Sequence, residues 1–159
     1  MTSRTRLAEA FSLVEVALAL GVAAVSLLVI FSLLPIGLQT NQRSIEQTAS
    51  VDILSAVAAD LRATPLTAPR GGATTSTQFG INVPAGGSTG STTLFFNSAG
   101  QASSSQQSDS RYRVTINFVA NGGGAKTATF ADLKVTWPAG AAIANAQGSA
   151  EMFAAFDRN

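Results

Sequence analysis

The sequence predicts an α+β fold, with one long N-terminal helix, first transmembrane and then amphipathic, packed on a small antiparallel β-sheet. Three observations predict it. Residues 11–34 are apolar apart from the carboxylate Glu15 and a few small polar residues. Ile45, Ala49, Ile53, Val57 and Leu61 recur four apart. Residues 111–120 alternate apolar and polar with a period of two. The first pattern has the length of a membrane span, the second is a helix with one apolar stripe, and the third is a strand with one buried face.

Residues 11–38 form the transmembrane segment of this reading. Twenty-four residues from 11 to 34, at about 1.5 Å each, make roughly 36 Å of helix, enough to cross a hydrocarbon core. No charge lies between Glu15 and Arg43, and only Arg4, Arg6 and Glu9 precede the run. The basic flank keeps the N-terminus in the cytoplasm, which gives one pass with the remainder of the chain on the far side. A secretory signal has a shorter apolar core and an A-x-A-like site after it; neither is found here. Glu15 stands out because a charge inside such a segment is costly and marks function by default. Its alternative reading is an interfacial acid that reaches the headgroups. Pro35 and Gly37 predict a kink or an end to the helix, since proline removes one hydrogen bond and clashes one turn back; a plain membrane exit is the other reading.

Residues 39–62 continue as an amphipathic stem helix. Leu54 widens the apolar stripe, and Arg43, Glu46, Asp52 and Asp60 are placed elsewhere around the wheel. Thr64-Pro65 ends it, because the residue before proline leaves the α region. Residues 63–110 are rich in Gly, Ser, Thr and Gln, and read as loops with two short strands at 79–83 and 94–96. The loops at 85–91 and 99–109 have the composition of a mobile linker, with a binding loop as the alternative.

Residues 111–159 form an antiparallel meander. In its first strand, 111–120, Tyr112, Val114, Ile116 and Phe118 face inward, while Arg111, Arg113, Thr115 and Asn117 face out. Asn121-Gly122-Gly123-Gly124 turns the chain. A second strand at 127–137 puts Leu133, Val135 and Trp137 on one face, and Pro138 stops it. A third at 150–156 turns Met152 and Phe156 inward. Arg111 and Arg113 read as a solvated strand face, because two arginines are too few for a nucleic-acid footprint.

Composition bounds the function. The 159 residues suit one domain with a modest core, since about 120 remain outside the membrane segment. The 46% hydrophobic and 12% charged residues reflect the membrane helix and the alanine content. Net charge is +1, and without Arg4, Arg6 and Glu9 the basic and acidic side chains balance, so nucleic acid is not an expected partner. Cysteine and histidine are absent, which excludes disulfides, Ser-His-Asp and Cys-His catalysis, and the common histidine metal sites. Asp109, Asp132, Glu151 and Asp157 lack EF-hand spacing, and the glycine runs lack the lysine of a phosphate loop. No catalytic residue, cofactor or metal is expected, and nothing argues for an enzyme.

Ala10-Phe11-Ser12-Leu13-Val14-Glu15 resembles the cleavage and methylation site of type IV pilins and type II secretion pseudopilins. The resemblance implies a leader at residues 1–10, cleavage between Ala10 and Phe11, N-methylation of Phe11, and Glu15 as the hallmark acid that pairs with the first-residue amine of a neighbouring subunit. Ala10 stands where that family usually has glycine. The longer run FSLVEVALALGVAAVSLLVIFSLLPIGLQTNQ, with ADLRATP, VTWPA and a terminal DRN, is similar to the B proteins of the Verru_Chthon cassette, a pilin-like group. The resemblance implies a subunit of a type IV pilus or pseudopilus, held in the inner membrane before assembly, with its C-terminal domain periplasmic and later part of an extracellular filament. Its implied partners are other pilin-like subunits, a prepilin peptidase and an assembly ATPase. The alternatives are a minor pseudopilin of type II secretion that contacts exported cargo, and a single-pass surface protein that never polymerises.

Overall fold

A computed structural model describes residues 12–64, 72–85, 88–121 and 128–157. The chain divides into two compact units, Met1–Ser44 and Ile45–Asn159. One helix, α1 (Leu13–Arg62, 50 residues), contributes to both.

In the first unit the apolar side chains of α1 are exposed all the way from Leu13 to Leu38. This helix is long and apolar enough to cross a membrane. Pro35 lies inside it, and neither Pro35 nor Gly37 ends it or divides it into two elements. The helix does not end at this point, as one expectation had it, but runs on to Arg62. One missing donor is a local loss in a fifty-residue ladder, and the apolar residues on both sides favour continuation.

In the second unit α1 buries Ser50, Ile53, Leu54, Val57, Ala58 and Leu61 on one side, with Ala49 partly covered. These positions are three or four apart, the spacing of one helical face. Each fully buried Leu, Ile or Val stabilises by about 1.5–3 kcal/mol. Two positions depart from the expected stripe. Ile45 is 59% exposed, because it precedes the covered part of the helix. Asp60, expected on the polar side, is buried. Its Oδ1 accepts from the Gln78 amide at 2.8 Å and its Oδ2 from the Phe79 amide at 3.0 Å. Both carboxylate oxygens are thereby satisfied, as a buried charge requires. The helix ends at Arg62, where the Ala63 amide donates to the Ala59 carbonyl and the Thr64 hydroxyl to the Asp60 carbonyl. Pro65 lies outside the described residues.

Two sheets follow. β1 (Thr74–Thr75) pairs antiparallel with β2 (Asn82–Val83). The larger sheet contains β3 (Gly90–Asn97), β4 (Ala102–Ser103), β5 (Ser110–Val119), β6 (Thr129–Trp137) and β7 (Gly148–Phe156), in the order β4-β3-β5-β6-β7 and antiparallel throughout. The meander of β5, β6 and β7 is the expected one. The strand expected at 79–83 shrinks to Asn82–Val83, and the one at 94–96 grows to the eight residues of β3, taking in Gly90 and Ser91, which the sequence reading left in a loop. β4 lies inside the loop expected at 99–109. The turn at 122–124 lies outside the described residues.

The inner face is built by alternation. Leu94 and Phe96 of β3, Tyr112, Val114, Ile116 and Phe118 of β5, Ala131, Leu133, Val135 and Trp137 of β6, and Ala154 and Phe156 of β7 join the helix residues in one core. Met152 is partly buried against it. Val83 of β2 and Ile81 just before it close the core from the side of the small sheet. Phe79 meets Phe96 edge-on with ring centroids 5.5 Å apart, and Tyr112 meets Trp137 at 6.3 Å, both geometries that aromatic quadrupoles favour.

Gly148 faces Trp137 across the β6–β7 ladder. A Cβ there would stand 2.2 Å from Cζ2 of the indole, so the missing side chain is the space that the ring occupies. Gly148→Ala should destabilise the folded unit by about 1–3 kcal/mol through overpacking, read as a lower midpoint in thermal unfolding followed by Trp137 fluorescence. Asp60→Ala should cost about 1–3 kcal/mol, because it orphans the Gln78 and Phe79 amides; the same melt checks it, with faster hydrogen exchange at those two amides as the local sign.

Candidate functional site

Glu15 is the third residue of α1 and is exposed. The Ser12 carbonyl begins the helix by accepting from the Glu15 amide at 3.0 Å and the Val16 amide at 3.1 Å. An acid in a first turn lies at the positive end of the helix dipole, and Ser12-x-x-Glu15 has the residue types of a capping box. Local structure therefore tolerates this carboxylate without any neighbour. Among the described residues, it has no ion-pair partner. Beside it runs an apolar groove lined by Glu15, Val16, Ala19, Leu20 and Ala23. The alanines lie four and eight residues beyond Glu15, on its own side of the helix, and their small side chains leave the hollow. A second apolar hollow is lined by Ile30, Leu33, Leu34, Gly37 and Leu38, beside Pro35. Ala10 and Phe11, the expected cleavage and methylation residues, lie outside the described residues.

Arg111 and Arg113 are not a bare solvated face. β3 and β5 lose register between Phe96 and Asn97, where Phe96 pairs with Tyr112 and Asn97 with Ser110. Arg111 is left as the extra residue of a bulge, a device that re-aims a side chain. Its Nη2 lies 2.5 Å from Glu46 Oε1 on α1, and its carbonyl accepts from the Ala139 amide at 2.9 Å. Arg113 donates from Nη2 to the Ala139 carbonyl and lies over the Phe95 ring, 5.7 Å from its centroid. The hydrogen bond to Glu46 holds the Arg111 guanidinium above its ordinary, already high value, with burial opposing. A raised arginine stabilises at every pH below the ordinary arginine range and loses that effect only above it. Arg111 thus adds no pH dependence near neutrality.

Among the described residues, no three His, Cys, Asp or Glu side chains gather as metal ligands. Comparison of the chain with protein-family models, with characterised proteins and with solved structures finds no match.

Sequence reasoning reached Glu15 but missed the Arg111–Glu46 pair and the role of Asp60. The Arg111 side chain is 49% exposed, so the pair carries little energy in spite of its length. A double-mutant cycle with Glu46→Gln and Arg111→Gln should give a coupling of about 0.2–1 kcal/mol that shrinks with added salt.

Proposed function

We propose that this chain is a pilin-like structural subunit, without catalytic activity, that enters a type IV pilus or pseudopilus through α1. The observation that carries the reading is the N-terminal part of α1, apolar and exposed on every side, with one carboxylate in its first turn and an alanine-lined groove beside it. Such a surface needs an apolar surrounding, either lipid or other helices. Its lone acid gains most from a cation presented in the same surrounding. In this reading the prepilin peptidase cuts between Ala10 and Phe11, Phe11 is N-methylated, and its amine pairs with Glu15 of the adjacent subunit. The α+β head, Ile45–Asn159, is carried on the far side of the inner membrane.

The protein isolated from its own membranes should have an intact mass and N-terminal sequence that begin at N-methylated Phe11. A chain that keeps residues 1–10 sinks the processing step and leaves a permanent anchor. Glu15→Ala should leave the membrane-inserted amount unchanged but strand an uncompensated amine on assembly, at a cost of about 3–5 kcal/mol. That should lower incorporation into a sheared filament fraction by about hundredfold or more. Equal incorporation of the variant would mean that Glu15 is an interfacial acid with no part in assembly.

A further inference from the structure

The loop that joins β3 to β5 is rich in Ser and Gln, yet it is tightly built. Asn97 is its keystone. Its Oδ1 accepts from the Ala99 amide at 3.1 Å and the Gln101 amide at 3.0 Å, and its Nδ2 donates to Gln101 Oε1 and Asp109 Oδ2, both at 3.0 Å. Gly100, with φ of 78°, completes the turn into β4 and donates its amide to the Asn97 carbonyl at 3.1 Å. Farther along, the Gln107 amide donates to Ser110 Oγ at 2.8 Å and Gln107 Nε2 to Ser105 Oγ at 2.9 Å. Gln106 rests beside Gly140, where an added Cβ would stand 3.4 Å from its Nε2.

This framework borders a half-open surface pocket of about 180 Å³ whose walls include Phe95, Gln101, Ser103, Gln107, Asp109 and Ser110. The internal bonds use only part of what these side chains offer. Among the described residues, Gln101 Nε2 and the Ser103 and Ser110 hydroxyl hydrogens remain as donors, while Gln107 Oε1 and Asp109 Oδ1 remain as acceptors. A mixed set suits a ligand whose groups both donate and accept, which is the property of a hydroxyl. The Asp109 charge opposes a phosphate or carboxylate. A single carboxylate is too little for a hard cation, which takes six to eight oxygens, and Asn97 Oδ1 is already committed to two amides. The volume equals about six water volumes, room for one ring rather than a larger ligand. Phe95, steadied by Arg113, supplies an apolar wall for the C–H side of such a ring.

We infer that the β3–β5 loop pocket binds a neutral polyhydroxylated ring, a single sugar residue, through Gln101, Gln107 and Asp109 with Phe95 as its apolar wall. This inference is independent of assembly through α1. The test uses the full chain in phosphatidylcholine nanodiscs, so that no glycoside detergent competes. Saturation-transfer difference NMR is recorded with N-acetylglucosamine, methyl glucoside and methyl galactoside, each at millimolar concentration. The expected result is transfer to at least one of them. Gln101→Glu and Asp109→Asn both keep the oxygen that faces Asn97 and invert the free atom, so the fold is retained, as circular dichroism would verify. Either variant should weaken binding by about tenfold. Transfer to none of the three sugars, or transfer that is unchanged in both variants, overturns the inference.

Discussion

The unit from Ile45 onward rests on one seam, where Ile53, Leu54, Val57 and Leu61 of α1 share a core with the inner faces of β3, β5, β6 and β7. A sheet with one apolar face has to cover it, and here a single helix face is the cover. The chain has no cysteine to tie the unit together, so burial has to supply the stability. The polar contacts take their places around this seam. Asp60 holds the Gln78–Phe79 turn at one end of the helix, and Glu46 meets Arg111 some four turns earlier.

The two parts of α1 follow one backbone rule under opposite side-chain demands. From Leu13 to Leu38 the helix is apolar on every side, and none of it is buried within the chain. Beyond Ala49 the large apolar side chains other than Val51 lie on one side, and that side is the covered one. Backbone hydrogen bonding satisfied within the helix lets it continue through both environments, which is why one proline in the apolar part does not end it.

The long periodic elements were legible from the residues. Tyr112, Val114, Ile116 and Phe118 are all buried, as alternation requires, and Leu133, Val135 and Trp137 match them on β6. Short elements were not: Thr74–Thr75 and Ala102–Ser103 are too brief to show any period. Asp60 escaped notice because a carboxylate reads as solvent-facing unless its partners are known, and those partners are backbone amides eighteen and nineteen residues away. The bulge at Arg111 likewise depends on the register of a neighbouring strand. Asn97-Ser98-Ala99-Gly100 did carry a signal, since Asn and Gly three residues apart suit a tight turn, but the surrounding Ser and Gln masked it. Glu15 stands out in sequence because it is the one carboxylate in a long apolar run, and the structure places it exposed in the first turn of α1.

Among the described residues β7 has only β6 as a strand neighbour, so one row of its backbone donors and acceptors has no strand partner there. Edges of this length are templates for further strands. The strand GSAEMFAAF has one charge, Glu151, whose carboxylate is held 2.6 Å from Lys134 Nζ on β6. Phe153, exposed and stacked on Phe130 at 5.7 Å, adds an adhesive outer side. Glu151 is thus the one charged side chain within this edge strand, and it stands paired with a cation of β6 beside an outer row, Ser149, Phe153 and Ala155, that is otherwise small or apolar.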